Sequence, residues 1–291
     1  MNYTPHWRSI CRWLSVLFLL MPLLGAAYSA NAQTGDSPKG PVYVVPVQQT
    51  IESGLEQYMR RAFAEAEEVG ASYIILEINT LGGAIDAAMG IGDLIVNSPI
   101  PTVAYIKGRA ISAGSYIALN ADQIVMHKRG SIGAAAVVDI TGNHVVTDSK
   151  VVATWVKEMR AAAELNGRNP EYAEGMVLEK KVVEVPEIGK VFGENELIAF
   201  STEEAIKAGY AEAVANNLDE VKAYLNVSSE ETFIGELSLA EQLARFLTNP
   251  YVTVILFIVG LAGIGLEIFA PGFGLPGLIG ISSFALYFFG N

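Results

Sequence analysis

Cysteine is almost absent from this chain: Cys11 is the only one in 291 residues. It lies in an N-terminal stretch that reads as removable. Arg8 and Arg12 flank WLSVLFLLMPLLGAA (13–27), an apolar run of 15 residues, and Ala30-Asn31-Ala32 supplies an A-x-A cleavage site. A basic flank, a short apolar run and a small-residue site together mark a secretory signal peptide over residues 1–32. The other reading, an uncleaved anchor, is disfavoured because the run is short for a membrane span. Cleavage after Ala32 leaves no thiol, which excludes disulfides, cysteine–metal sites and a cysteine nucleophile. Basic residues are also scarce, 19 Lys and Arg against 31 Asp and Glu. Removal of Arg8 and Arg12 leaves 17 basic against 31 acidic groups, a net charge of −14. So acidic a chain is not a nucleic-acid binder. No Lys or Arg follows Arg245, so basic residues do not orient the C-terminal apolar segments. Histidine is rare too: His6, inside the signal peptide, His127 and His144.

What the chain has in excess is apolar residues, 51% of the total, concentrated at the two ends. YVTVILFIVGLAGIGLEIFA (251–270) contains one charge, Glu267, over 20 residues and is long enough to span a bilayer. PGFGLP (271–276) breaks it, and GLIGISSFALYFF (277–289) begins a second, shorter apolar run. Residues 251–291 therefore read as a membrane region, one expected to be incomplete or to end in a re-entrant segment. The signal peptide places residues 33–250 outside the cytoplasm.

Between the apolar ends the pattern alternates. Residues 33–40 form a polar, glycine-containing linker. VYVVPV (42–47) and YIILEI (73–78) read as strands, the second apolar but for Glu77, as in buried parallel sheets. Helices are expected over 52–68 and 84–97, then a strand over 102–106, a helix over 112–121 and a strand over 123–127. Repeated β-α-β with short connections predicts an α/β fold around a parallel sheet with right-handed crossovers. Further helices are expected over 151–165, over STEEAIKAG (201–209) with a Ser201–Glu204 capping box, and over 219–225. The globular domain is assigned to 41–228, and 229–250 to a linker with an amphipathic helix, SLAEQLARFL (238–247). That helix reads equally as interfacial or as packed on the globular domain.

Ser112 stands at the mouth of the 112–121 helix, fenced by small residues in AISAGS (110–115). Serine is a common N-cap. Other features favour a nucleophile. The loop NTLGGAID (79–86) also leaves the carboxyl end of a strand, where ligands bind in parallel sheets. Its glycines let backbone N–H groups face an open site. Gly83 and Ala113 N–H could thus converge on one oxygen as an oxyanion hole. A helix N-terminus also favours an alkoxide. A serine nucleophile needs a base. His127 and His144 are candidates by composition. So is a lysine, provided it is desolvated; Lys150 precedes Val151, Val152 and Trp155, an apolar setting that suits the purpose.

INTLGGAIDAAMGIGDLI, GRAISAGSYIALNADQIVM, GSIGA, LNGRN and LEIFAPGFGLPGLIG, in this order, resemble the NfeD-type membrane-bound serine proteases of the ClpP class. The resemblance covers residues 42–289 and extends more weakly to signal peptide peptidase A and ClpP, which share the ClpP/crotonase fold. It implies a Ser–Lys dyad. The nucleophile is the serine of SAG, Ser112, and the base is a lysine some 17 residues before GRN, which falls on Lys150. The oxyanion donors fall on Gly83 and Ala113. The histidine that ClpP takes from the region after GS has no counterpart in AAAVVD (134–139). Relatives read PGG where this chain has Leu81-Gly82-Gly83, a loss of proline stiffness in the donor loop. The resemblance implies no cofactor, a homodimer or larger assembly, and a hydrophobic segment of a stomatin-like membrane protein as substrate. An excess of apolar residues in 172–200 also points to self-association. Two other functions share these features: crotonase-like chemistry on CoA thioesters, disfavoured by the signal peptide, and a non-catalytic scaffold in which Ser112 is only a cap.

Overall fold

Apolar runs too short for helices become the strands of one mostly parallel sheet. The computed structural model describes residues 40–138, 146, 149–228, 230–269 and 274–290; the segments read as signal peptide (1–32) and linker (33–39), His144 and residues 271–273 lie outside them. β1 (Val42–Gln48), β2 (Tyr73–Thr80), β3 (Thr102–Ile111) and β4 (Gln123–Met126) pair in parallel, and β9 (Ala213–Val214) and β10 (Thr232–Ile234) flank them in the order β10-β1-β2-β3-β4-β9. The side chains sort by the two-residue period of a strand. Val45, Val47, Ile74, Leu76, Ile78, Ala104 and Ile106 enter the main core. Val42, Val44, Ile75, Val103 and Tyr105 enter a second core on the other face. Each such buried aliphatic side chain contributes about 1.5–3 kcal/mol.

Helices α1 (Ser53–Glu68), α2 (Ile85–Val96), α3 (Ala113–Asn120) and α4 (Ser149–Leu165) contribute Leu55, Met59, Ile91, Ile117, Trp155 and Met159 to the main core. α5 (Pro170–Val177) follows, capped by Asn169, whose side chain accepts from Glu171 N–H. α6 (Thr202–Lys207) has the expected capping box, with Ser201 and Glu204 each bonding the other's backbone. α7 (Leu218–Tyr224) covers the second core through Val221.

Four features differ from the sequence reading. β3 does not stop at Ile106. Its register with β2 shifts between Ile78 and Thr80, and it runs on to Ile111, pairing first with β4 and then with β5 (Ser131–Gly133). Lys107, Gly108 and Arg109 interrupt the apolar pattern there, which hides the continuation. β5 also pairs antiparallel with β8 (Ala199–Ser201), and β6 (Val183–Val185) and β7 (Lys190–Phe192) form a separate antiparallel hairpin. The segment read as linker from 229 supplies β10, so the sheet extends past residue 228. Finally, most apolar residues of 172–200 have partners within the chain: Tyr172, Met176, Val183, Val185, Ile198 and Phe200 are buried, while Val182 and Val191 stay exposed.

α8 (Leu239–Leu247) is turned opposite to an ordinary surface helix. Its polar side faces α1, where Glu241 bonds Arg61 (2.7 Å) and Arg245 bonds Glu52 (2.8 Å). Its apolar residues Leu239, Leu243 and Phe246 are exposed, and only Leu247 is buried. α9 (Pro250–Phe269) follows at once. Within it Tyr251–Phe269 is the one described helix long and apolar enough to cross a membrane. α10 (Leu275–Gly290) packs against it at glycines: a Cβ on Gly263 would lie 2.5 Å from Pro276 O. The lone charge, Glu267, accepts from Gly277 N–H (3.3 Å) near the start of α10.

Candidate active site

β3 ends at Ile111 and the chain turns at Ser112 into α3. The turn is sharp because Ser112 has φ 56° and ψ −126°, a conformation that costs a residue other than glycine about 1–3 kcal/mol. The surrounding bonds hold it there. Ser112 N–H donates to Gly133 O on β5 (3.1 Å), and Ser112 O accepts from Ser115 N–H (2.9 Å) and from the Ser115 hydroxyl (2.6 Å). The Ser112 side chain makes no capping bond to α3, so the bland role open at the sequence level is not adopted. A strained serine between strand and helix has the geometry of a nucleophile elbow, which presents the hydroxyl at the carboxyl end of a parallel sheet. Ala113 opens the first turn of α3, where N–H groups have no intrahelical acceptor.

The glycine loop after β2 lies against this elbow. Gly82 has φ +109°, and a Cβ there would sit 2.6 Å from Ser112 Cβ and 3.0 Å from its Oγ. Glycine is thus required twice at position 82, by conformation and by space. The sequence signal was the glycine pair, of which only Gly83 was assigned a role. Gly82 N–H donates to the buried Thr80 hydroxyl (3.0 Å), which itself donates to Gln49 O. Ile51 N–H donates to Gly82 O (3.0 Å), and Ala84 N–H donates to Ile51 O (2.8 Å). This parallel bridge uses the groups on either side of Gly83 and leaves Gly83's own N–H on the edge away from Ile51. Backbone pairing, not proline, holds the loop. Nothing in the sequence singled out Thr80 or Ile51, because their role is made by a contact with a segment some thirty residues away.

A cleft of about 360 Å³ adjoins the loop, lined by Gln49, Thr50, Asn79, Thr80, Leu81, Gly82 and Arg109. Leu81 projects from it, 70% exposed. The cleft is lined by Gly82, the residue packed against Ser112.

Lys150 lies in the first turn of α4 and is exposed. The apolar setting expected for it is not provided by its neighbours in sequence. Trp155 is buried, stacks on Tyr116 of α3 (centroids 5.0 Å apart) and donates to Ala135 O (2.9 Å). Five residues of helix rotate Lys150 about 140° away from Trp155, so the burial of one does not carry the other. Contacts between α3 and α4 nevertheless fix the helix that bears Lys150 against the helix that Ser112 introduces. His127 directly follows β4, its N–H donating to Ile106 O (2.9 Å), and its Nδ1 accepts from Arg129 N–H (3.1 Å), a turn-forming bond.

Comparison with known proteins agrees with this architecture. Residues 41–258 match the NfeD1b N-terminal domain, and residues 251–291 match the NfeD integral membrane domain. The chain is 39% identical over 272 residues to Membrane protein NfeD1b of Bacillus subtilis (strain 168), an alignment covering 94% of this chain and 60% of that protein. It is 26% identical over 279 residues to Membrane-bound protease PH1510 of Pyrococcus horikoshii, again covering 94% of this chain and 60% of that protein. The chain thus spans about 60% of the length of these relatives. Its fold is similar to that of a lysine-to-alanine mutant of the 1510-N membrane-bound stomatin-specific protease in complex with a substrate peptide. The TM-score is 0.61 at 26% identity, covering 72% of this chain and 98% of that one. A serine-to-alanine mutant of the same protease gives a TM-score of 0.58 at 26% identity, covering 69% and 99%. With both domain matches in sequence order along it, this chain belongs to the NfeD family, its mixed α/β domain running directly into an integral membrane segment.

Proposed function

We propose that the chain is a membrane-anchored serine endopeptidase of the ClpP class, with Ser112 as nucleophile, Lys150 as general base, and Gly83 and Ala113 N–H as the oxyanion hole. The observation that carries this reading is the strained, uncapped Ser112 with Gly82 pressed against it; a merely structural serine has no use for either. The relatives named as proteases, and the serine and lysine mutants among their structures, support it.

In the reaction Lys150 Nζ takes the Ser112 Oγ proton as Oγ attacks the peptide carbonyl. The developing oxyanion accepts from Gly83 and Ala113 N–H, preorganised donors of the kind that dominate acyl-transfer catalysis. The C–N bond breaks, and the leaving amine takes the proton from Lys150. Water, losing a proton to Lys150, then attacks the ester carbonyl; the C–Oγ bond breaks, Lys150 returns that proton to Oγ to restore Ser112, and the carboxylic acid product ionises in solvent. No cofactor is needed. The exposure of Lys150 in the single chain means that its desolvation comes from bound substrate or from a second copy of the chain, which accords with a dimer or larger assembly. The substrate is an extended hydrophobic segment of a membrane protein, stomatin-like by relation to the 1510-N protease. The catalytic domain faces the extracytoplasmic side.

The test is cleavage of an apolar fluorogenic peptide by the full chain in detergent, beside its Ser112→Ala variant. Loss of cleavage in a folded Ser112→Ala protein is expected. Undiminished cleavage would reject Ser112 as nucleophile and leave the scaffold or crotonase-like readings.

A further inference from the structure

Arg245 of α8 ends far from Ser112 in sequence but one bonded layer from the loop beside it. Its side chain is 12% exposed and that of Glu52 is 6% exposed. Arg245 Nε donates to Glu52 Oε1 (2.8 Å), and Nη2 donates to Gln48 O (2.9 Å) and Thr50 O (3.2 Å). The Thr248 hydroxyl donates to the other Glu52 oxygen (2.6 Å). Glu52 in turn caps α1, accepting from Gly54 N–H (2.6 Å) and Leu55 N–H (3.1 Å). The segment 48–52 is therefore gripped from the side of α8. From its other side the same segment grips the glycine loop: Ile51 bonds Gly82 O and Ala84 N–H, and Gln49 O accepts from Thr80, which bonds Gly82 N–H. Gln49 itself has φ 65°, a strained turn that needs such support. A second cleft, of about 540 Å³, lies between this segment and α8 and shares Gln49 and Thr50 with the cleft beside Gly82.

We propose that Arg245 is a positioning residue for the oxyanion loop: it fixes segment 48–52, and through Ile51 the Gly82–Gly83 backbone, so that the helix leading into the membrane sets the geometry at the cut. The inference rests on the reading of Ser112 and Gly83 given above. An arginine suits the task because its planar fork serves a carboxylate and two carbonyls together, which a single ammonium does not. The exposed apolar side of α8 and its direct continuation into α9 place this helix at the lipid boundary, so insertion and active-site order share one element. A soluble fragment ending before residue 238 lacks the grip altogether.

The experiment uses the full chain in detergent, a fluorogenic apolar hexapeptide and a peptide aldehyde, whose adduct with a serine carries the oxyanion. Loss of a whole oxyanion donor lowers kcat by about 10²–10³-fold; a displaced loop should lower it by about 10-fold, within that bound. The expected order of kcat is wild type, then Arg245→Lys, then Arg245→Ala, with KM within about 2-fold and aldehyde affinity falling in parallel with kcat. Leu243→Ser, on the exposed side of the same helix, should leave kcat unchanged in detergent. Any Arg245 variant that folds and retains wild-type kcat and aldehyde affinity overturns the inference, and Arg245→Lys carries the test should Arg245→Ala not fold. If instead Ser112→Ala remains active, the nucleophile assignment fails, an outcome read in a different protein.

Discussion

At the scale of the residue, Ser112 and Gly82 are one device. The serine sits in a backbone conformation that glycine prefers, and the glycine gives up a side chain so that the serine can sit there. Two variants separate these effects. Ser112→Ala should end cleavage and leave stability nearly unchanged, since the strained φ persists. Ser112→Gly should also end cleavage but stabilise the fold by about 1 kcal/mol, because relief of the strain outweighs the greater freedom of the unfolded chain. Denaturant titration distinguishes them; equal stability of the two would show that the turn is unstrained. Gly82→Ala should lose most activity, since its Cβ would lie 2.6 Å from Ser112 Cβ. For the base, Lys150→Ala should lower kcat on the order of 10²–10⁴-fold, and Lys150→Arg should not restore it because guanidinium stays protonated. Lys157→Ala, on the exposed face of α4, and His127→Ala should remain near wild type. A dead His127→Ala beside an active Lys150→Ala would replace the dyad with a Ser–His mechanism.

At the scale of the element, two helices are held by charge in unusual ways. The C-terminal end of α3 rests on Arg168, 3% exposed, which donates to Leu119 O (3.3 Å) and Ala121 O (3.4 Å) and pairs with Glu212 (3.0 Å). Burial pulls its pKa down, and Glu212 opposes the shift. A cation at a helix C-terminus is favourable, and truncating the buried guanidinium removes its charged hydrogen bonds and its packing, while Glu212, about a third exposed, is left to solvent. Arg168→Ala should therefore lower stability by about 2 kcal/mol and loosen α3, measurable as faster amide exchange over 113–120; protection unchanged there would refute the role. α8 is held through Glu241, whose carboxyl is pulled down to about 2, chiefly by its bond to Arg61. A depressed acid contributes its full stability above its ordinary value of 4.5 and loses it as pH falls toward 2. The stability gap between wild type and Glu241→Gln should be constant above about pH 5 and close on acidification. The substitution preserves the capping box with Ser238, so the cap cancels in the comparison and a gap independent of pH would refute the role of the Glu241 charge.

At the scale of the whole molecule, the chain couples a sheet-based domain to lipid through a single short helix, with no unstructured spacer between Ser238 and Phe269. The domain should sit close to the bilayer and on its outer side. Protease added to intact spheroplasts should digest residues 33–250, and full protection would reverse the proposed orientation. Self-association has a narrower basis than composition suggested, because most apolar residues of 172–200 have partners within the chain; Val182 and Val191 on the β6–β7 hairpin remain. A soluble piece covering 33–237 is nonetheless expected to sediment as at least a dimer at tens of micromolar, and a monomer would count against assembly through this domain.

The sequence by itself determined whatever depends on local chemistry. The apolar composition of 73–78, the 3.6-residue period of 52–68, the Ser201–Glu204 box and the length of the apolar run from 251 each predict an element that is present, and the position of Ser112 at a helix start was legible from its small neighbours. The tertiary structure alone decided features made by pairing distant segments. Strands β5, β6, β7, β8 and β10 have three residues each, too few to show a two-residue period, and they exist because a partner strand accepts them. The continuation of β3 is masked by Lys107, Gly108 and Arg109 and becomes a strand only beside β5. The φ of Ser112 follows from bonds to Gly133 and Ser115, and the need for glycine at 82 follows from a contact between residues thirty positions apart. Amphipathicity revealed that α8 has two faces but not which one meets the protein. That was decided by Glu52 and Arg61, whose charges bind the polar face and leave the apolar one outward.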